Sequence, residues 1–219
     1  VAMGEMVASL AHQVRTPLGS AMLNLSNLAH PALAAEDRAR MVERMRERLH
    51  HLDHLVNDML LFARGGASVA TPFGVSALLT QVAQTMEPQT TAAGCRFRWT
   101  NHCGEAQLLG NAEALTGAVT NLLRNAVEAC GAGGEIALEC RLDDSAVSIV
   151  VADNGPGIAP EVQARLFEPF FTTRTQGTGL GLAVVQAVAQ AHGGHAWCRS
   201  QPGQGATFGL SLPRPKEAA

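Results

Sequence analysis

A proline stands in the middle of an apolar seam of helical period near the start of this chain. Val7, Leu10, Val14, Ala21, Leu25 and Leu28 recur at spacings of three, four or seven, which is the repeat of a helix that buries one face. Pro17 interrupts that pattern without ending it. Its ring crowds the carbonyl of Gln13 and it has no amide to donate, so the helix is expected to bend there, with Gly19 and Ser20 softening the same turn. At about 100° per residue, position 12 points away from Leu10 and Val14. His12 is therefore expected to present its imidazole to solvent.

His30, Pro31 and the alanine-rich stretch to Glu36 read as a loop. A second helix is expected from about Asp37, with Met41, Met45, Leu49, Leu52, Val56, Met59 and Phe62 as its apolar stripe among many charged residues. Two helices joined by a short loop make a hairpin that covers only one face of each. Pairing with a second copy into a four-helix bundle completes the core, so a homodimer is expected. His50 and His54 lie four apart on this helix, but no carboxylate or cysteine is placed to finish a metal shell, and they read as polar surface residues.

Gly65, Gly66, Ala67 and Ser68 form a linker, and Pro72 begins new material. Two domains are expected, 1–66 and 72–214. With 219 residues, 47% of them hydrophobic, the chain has ample material for a core, and a net charge of −3 gives no nucleic-acid surface. The five cysteines are odd in number, widely spaced and without a CxxC pair. They read as reduced thiols packed as small core residues, which suits a cytoplasmic chain. No apolar run approaches the ~20 residues of a membrane span. The helical pattern is already under way at Val1, so a fragment of a longer protein is expected.

Beyond Pro72 the periods mix. Helices are expected over 75–91, 112–130 and 180–191, and strands over 95–100, 135–142, 146–152, 195–200 and 206–212, the last two joined by a turn at Pro202, Gly203 and Gly205. Adjacent strands joined by tight turns, with helices between them, imply an α/β sandwich: a mixed sheet covered by helices on one face.

Three clusters in this part carry chemistry. In NLLRNA, Asn121 and Asn125 share a helix face, and an amide oxygen there can serve magnesium, a hard cation that keeps waters and phosphate oxygens in its shell. In DNGPGI, Asp153 ends a strand beside Gly155 and Gly157, where a carboxylate can accept a hydrogen bond from the amino group of adenine. GTGLGL runs from Gly177 through Thr178, Gly179 and Leu180 to Gly181 and Leu182, and bares backbone amides at a helix start, which suits an anion. The spacing is GxGxG, so this is not a dinucleotide fingerprint, and no Walker lysine motif occurs. Between the second and third clusters lie Phe167, Phe170, Phe171, Thr172, Thr173 and Arg174, which read as a nucleotide lid.

The ordered set AHQVRTPL, NLLRNA, DNGPGI, FEPFF and GTGLGL resembles the H, N, G1, F and G2 boxes of bacterial sensor histidine kinases. The resemblance spans essentially the whole chain. It implies a dimerisation and phosphotransfer hairpin followed by a catalytic domain of the Bergerat ATP-binding fold, shared with gyrase, Hsp90 and MutL. It makes His12 the phosphoacceptor, Asn125 the magnesium ligand and Asn121 a second polar group of that site. Asp153 becomes the adenine partner, Gly155 and Gly157 shape the base pocket, and residues 177–181 form the phosphate loop with Arg174 as a lid contact. ATP and Mg2+ are the implied substrate and metal, and the implied partner is the receiver domain of a response regulator. HQVRTP is most similar to kinases that serve σ54-dependent regulators, flagellar ones among them.

The chain departs from the pattern twice. The residue after the phosphoacceptor is commonly Glu or Asp, which can accept a proton; Gln13 can orient the ring but is no base. Autophosphorylation is expected to be slower than in a Gln13→Glu variant. Thr16 matches the residue that positions water for dephosphorylating the regulator, and with Gln13 altered that phosphatase activity stays open. Glu128 stands where some relatives carry a phosphate-binding lysine. Gyrase-like relatives place a glutamate where Asn121 stands, and an amide cannot activate water, which disfavours the alternative of an ATPase-driven clamp of the Hsp90 or MutL type. A non-catalytic, nucleotide-binding dimeric scaffold is the other alternative. The stimulus, the identity of the regulator, and transfer within or across subunits are not written in these residues.

Overall fold

The computed structural model describes residues 2–28, 33–64, 70–143, 146–174 and 177–214, without the side chains of 2–13, 50, 51, 54 and 61–64. The chain divides into two compact units, Val1–Leu60 and Leu61–Ala219.

The first unit is helical. Helix α1, Ala2–Leu28, carries its helical backbone straight through Pro17, and α2 runs Ala35–Arg64 with Glu36 and Asp37 in its first turn, where carboxylates favour the positive end of the helix dipole. Pro17 and Ala21 are buried on α1, and Leu55 and Asp58 on α2. Leu55 belongs to the buried stripe although the periodicity points to its neighbour Val56, which is exposed, as is Leu49. Leu18, Met22, Leu23 and Leu25 also stand exposed on α1. An apolar groove lined by Leu28, Val42, Met45 and Leu49, with Arg46 at its edge, opens on this hairpin. The expectations for the side chains of His12, Gln13, His50 and His54 lie outside the described residues.

The second unit is built on a five-stranded sheet with order β2-β4-β5-β7-β6. The strands are β2 Arg96–Asn101, β4 Glu135–Leu142, β5 Ala146–Asp153, β6 His195–Ser200 and β7 Ala206–Pro213. β2 runs parallel to β4 and every other neighbouring pair is antiparallel. A separate two-stranded ribbon pairs β1, Thr71–Gly74, with β3, Gln107–Gly110. Helices α3, Val75–Ala92, α4, Ala112–Cys130, and α6, Gly181–Ala191, share one core with the sheet, and a single turn, α5, Pro160–Gln163, lies between β5 and α6.

Alternation explains the face that the sheet buries. Leu138 pairs with Val151, Cys140 with Ile149, and Val151 with Phe208, so these side chains stand on one side. Helix α4 answers them with Leu115, Val119, Leu122 and Leu123, each at most 1% exposed. Burying each such side chain contributes about 2 kcal/mol. Asn111 starts α4 by accepting a hydrogen bond from the Ala114 amide at 3.0 Å, and Gly131, at φ +64°, ends it.

The cysteine expectation needs correcting. Cys103 and Cys140 form a disulfide, while Cys95, Cys130 and Cys198 are free thiols. The parallel pairing places Asn101 opposite Cys140, and the turn that follows, held by the Cys103 amide on Asn101 Oδ1 at 2.8 Å, carries Cys103 back over its partner. Their separation of 37 residues gives no pattern to read.

Candidate functional site

Helix α4 presents its two asparagines along one side. Asn121 is 4% exposed; its Oδ1 accepts a 2.6 Å hydrogen bond from Arg124, and its Nδ2 donates to the Gly181 carbonyl at 3.5 Å. The NLLRNA helix is thereby tied to the first residue of α6. One turn later, Asn125 is half-buried and its Oδ1 accepts from Nη1 of Arg174 at 3.3 Å. Nη2 of the same arginine donates to the Asn125 carbonyl at 3.2 Å, and Nη1 also pairs with the carboxylate of Glu128. An amide oxygen that already faces a cation fits the donor chemistry that magnesium requires.

Asp153 ends β5 on the helix side of the sheet, opposite Ile136 and Ala206. Its Oδ1 accepts from the amides of Gly155 at 2.9 Å and Ala206 at 3.2 Å. Oδ2 takes no hydrogen bond among the described residues, so it is open to a ligand's donor. Burial raises the carboxyl's pKa above its ordinary value, against the two amide hydrogen bonds and the charge of Arg174, which lower it.

The DNGPGI turn is clamped from below by the β6–β7 turn. Ser200 Oγ accepts from the Ile158 amide at 2.9 Å and donates to the Gly205 carbonyl at 2.6 Å, while the Gly203 amide donates to the Pro156 carbonyl at 2.7 Å. Gln163 Nε2 adds bonds to the carbonyls of Ile158 and Ser200 at 2.7 and 3.0 Å. Gly157 has φ +73° and lies against the Gln201 carbonyl, where a Cβ has no room. Asn154 Oδ1 accepts from the Glu135 amide at 2.8 Å, which extends the β4–β5 ladder past its last strand pair. Ser200, Gly205, Ala206 and Gln163 were not among the candidates from sequence. Only the closure of the sheet brings Gly205 and Ala206 to Asp153 and Ser200 to Ile158, and no spacing signals it.

The glycine loop and the aromatic segment are joined through Gly179, whose carbonyl accepts from the Phe170 amide at 2.9 Å. Gly179 has φ +66° with the Phe170 backbone against it. Thr178 Oγ1 accepts from the Leu180 amide at 3.2 Å, the Gly177 amide donates to the Arg174 carbonyl at 3.2 Å, and Leu180 is 2% exposed. Leu180 offers α6 no side-chain cap, so the first amides of that helix are left for an anion. The structure thus ties Asn121 to Gly181 and Arg174 to Asn125. Thr16 lies on α1 in the other unit, with an exposed side chain.

Two family models match in succession. Residues 2–68 match the His Kinase A (phospho-acceptor) domain, and residues 110–216 the Histidine kinase-, DNA gyrase B-, and HSP90-like ATPase. This chain belongs to the sensor histidine kinases. Its kinase relatives include the sensor protein kinase FleS of Pseudomonas aeruginosa, 44% identical over 97% of this chain and 52% of that protein. Another is the sensor histidine kinase ZraS of Escherichia coli, 30% identical over 97% of this chain and 46% of that protein. The histidine kinase chain therefore spans about half the length of these curated relatives. Among solved structures it is similar to full-length ShkA in complex with AMPPNP, with TM-score 0.70 and 35% identity over 98% of this chain and 47% of that one. No helix among the kinase's described residues is long and apolar enough to cross a membrane.

Proposed function

We propose that this chain transfers the γ-phosphoryl group of ATP to His12 and then to an aspartate of a response regulator's receiver domain. Residues 1–66 serve as the dimerisation and phosphotransfer part, and 72–214 as the ATP-binding part. The observation that carries this reading is the grouping in one unit of an open carboxylate oxygen, Asp153 Oδ2, with an amide oxygen and a guanidinium, Asn125 and Arg174, and an uncapped glycine-rich helix start.

Asp153 accepts the adenine amino hydrogen, and the residues around Gly155 and Gly157 let the base lie close to the backbone. The amides at 177–181 and the Arg174 side chain hold the phosphates. Asn125 would contribute its oxygen to magnesium, which when bound neutralises charge on the phosphates. In its neutral form His12 offers a ring nitrogen lone pair to the γ-phosphorus. The N–P bond forms as the bond to the bridging oxygen breaks; ADP leaves with that electron pair, and the ring proton passes to solvent because Gln13 is no base. Asn121, an amide engaged by Arg124 and Gly181, does not activate water, which favours transfer over hydrolysis. The exposed apolar residues of the hairpin and the groove at Leu28, Val42, Met45 and Leu49 support a second copy as the partner that completes a four-helix bundle. A cytoplasmic setting accords with this reading, and the σ54-regulator group remains the proposed sub-group.

The test is incubation with γ-labelled ATP. Acid-labile, base-stable label is expected on the wild-type chain and none on His12→Ala. Label released only as free phosphate would favour a clamp, and no turnover a scaffold; either result refutes the kinase reading.

A further inference from the structure

Glu128 occupies the place where some relatives carry a phosphate-binding lysine, so its charge is of the wrong sign for that task. Its partner is Arg174, reaching across from the lid. The arginine's hydrogen bonds divide by edge. Nη1 serves Glu128 and Asn125 Oδ1, and Nη2 serves the Asn125 carbonyl. These bonds are made by the two terminal nitrogens of the guanidinium. Nε and the second hydrogen of Nη2 have no acceptor among the described residues, and they form the side-on edge that takes a phosphate through two parallel hydrogen bonds. The Arg174 amide donates to Thr172 Oγ1 at 3.1 Å, which fixes the backbone from which the side chain leaves.

We propose that Glu128 is a positioning residue for ATP: it holds Arg174 by one edge so that the other faces the phosphates. The cation that a lysine would supply from the helix is supplied here from the lid, and the glutamate is what docks it. The Glu128 pairing and the Nη2 bond to the Asn125 carbonyl are the two contacts that hold the arginine beside the site independently of Asn125 Oδ1. An exposed ion pair alone contributes little; here the contribution appears as orientation of a ligand contact.

This inference rests on the reading of residues 174–181 as the phosphate site, and the sign of one substitution tests it. If Glu128 were only a negative charge near the phosphates, Glu128→Ala would tighten ATP binding. Positioning predicts the reverse. Calorimetric titration of the full chain with ATP is expected to give an affinity about three- to tenfold weaker for Glu128→Ala, with adenosine binding unchanged. Glu128→Gln, which keeps an acceptor for Nη1, is expected to restore most of the loss. In the Arg174→Ala background, adding Glu128→Ala is expected to cause no further loss. ATP bound by Glu128→Ala as tightly as by wild type, or more tightly, overturns the proposal. A wild-type chain that binds ATP no better than adenosine overturns the phosphate-site reading and this proposal with it.

Discussion

Two glycines, one in the DNGPGI turn and one in the β6–β7 turn bonded to it, separate the cost of a backbone angle from the cost of a contact. Gly157 and Gly203 have φ of +73° and +79°. An alanine forced into that region loses about 1–2 kcal/mol. At Gly203 the added methyl meets nothing within 4 Å, so the angle is the whole effect. At Gly157 it falls on the Gln201 carbonyl and within 3.1 Å of Pro202 Cα, backbone atoms that no rotamer change can move aside. Overpacking of this kind costs roughly a further 1–3 kcal/mol. Each kcal/mol lowers Tm by about 2–4 °C in a domain of 150–250 residues, and the unit Leu61–Ala219 is of that size. Gly203→Ala is therefore expected to lose about 2–8 °C, and Gly157→Ala about 2–12 °C more. Scanning calorimetry of the full chain, on the transition that ATP shifts upward, gives both values. Adenosine affinity is expected to fall at least about tenfold in Gly157→Ala only, because the turn beside Asp153 must lift away from Gln201. Equal losses in the two variants, or a larger one at Gly203, would refute the argument.

The raised pKa of Asp153 gives a pH dependence with a definite sign. In the proposed reading it is the ionised carboxylate that accepts the adenine amino hydrogen, so adenosine affinity is expected to fall on acidification, beginning above the ordinary carboxylate range. Asp153→Asn is expected to bind weakly and without that dependence, and a wild-type affinity constant from about pH 7 to 4.5 would contradict it. Protonation of the same group favours the folded form, so its contribution to stability is present at low pH and lost as pH rises through the raised value. Cys198 is pushed up to about 11, first by burial and then by the charge of Asp153. Its alkylation by iodoacetamide, read by peptide mass spectrometry, is expected to be slow at neutral pH and to climb about tenfold per pH unit towards that value. A plateau below pH 9 would show that the thiol is not shielded.

The long elements were legible because they have a period. Helix α4 was expected at the bounds observed, 112–130, as were β4 and β6. The ribbon of β1 and β3 escaped because four residues, one of them Pro72, are too few to alternate. On α2 the burial within one chain also takes in Leu55, which the expected stripe left out, while Val56 of that stripe stays exposed. Of the proposed site, Asn121, Asn125, Asp153 and the glycines were picked out by contiguous motifs, and Arg174 by the segment that follows FEPFF. Their neighbours were not. Ala206 is 53 residues from Asp153, and Ser200 is 42 from Ile158. The segment between the glycine clusters is also less loose than its length implies, since Gln163 and Phe170 pin it at two points.

The sheet order places β7 between β5 and β6, so the strand translated last among those described is an interior one. A chain growing from its N-terminus carries every one of the five motifs before residue 206 is added, yet it lacks the Ala206 amide for Asp153 and the strand that joins β5 to β6. Until then β5 has an open edge, and the base pocket proposed at Asp153 is incomplete. Nucleotide therefore cannot assist the early folding of this unit. It can reward only a chain whose final hairpin has closed, and a shortened product that keeps all the motifs but stops at residue 205 is expected to be blind to ATP.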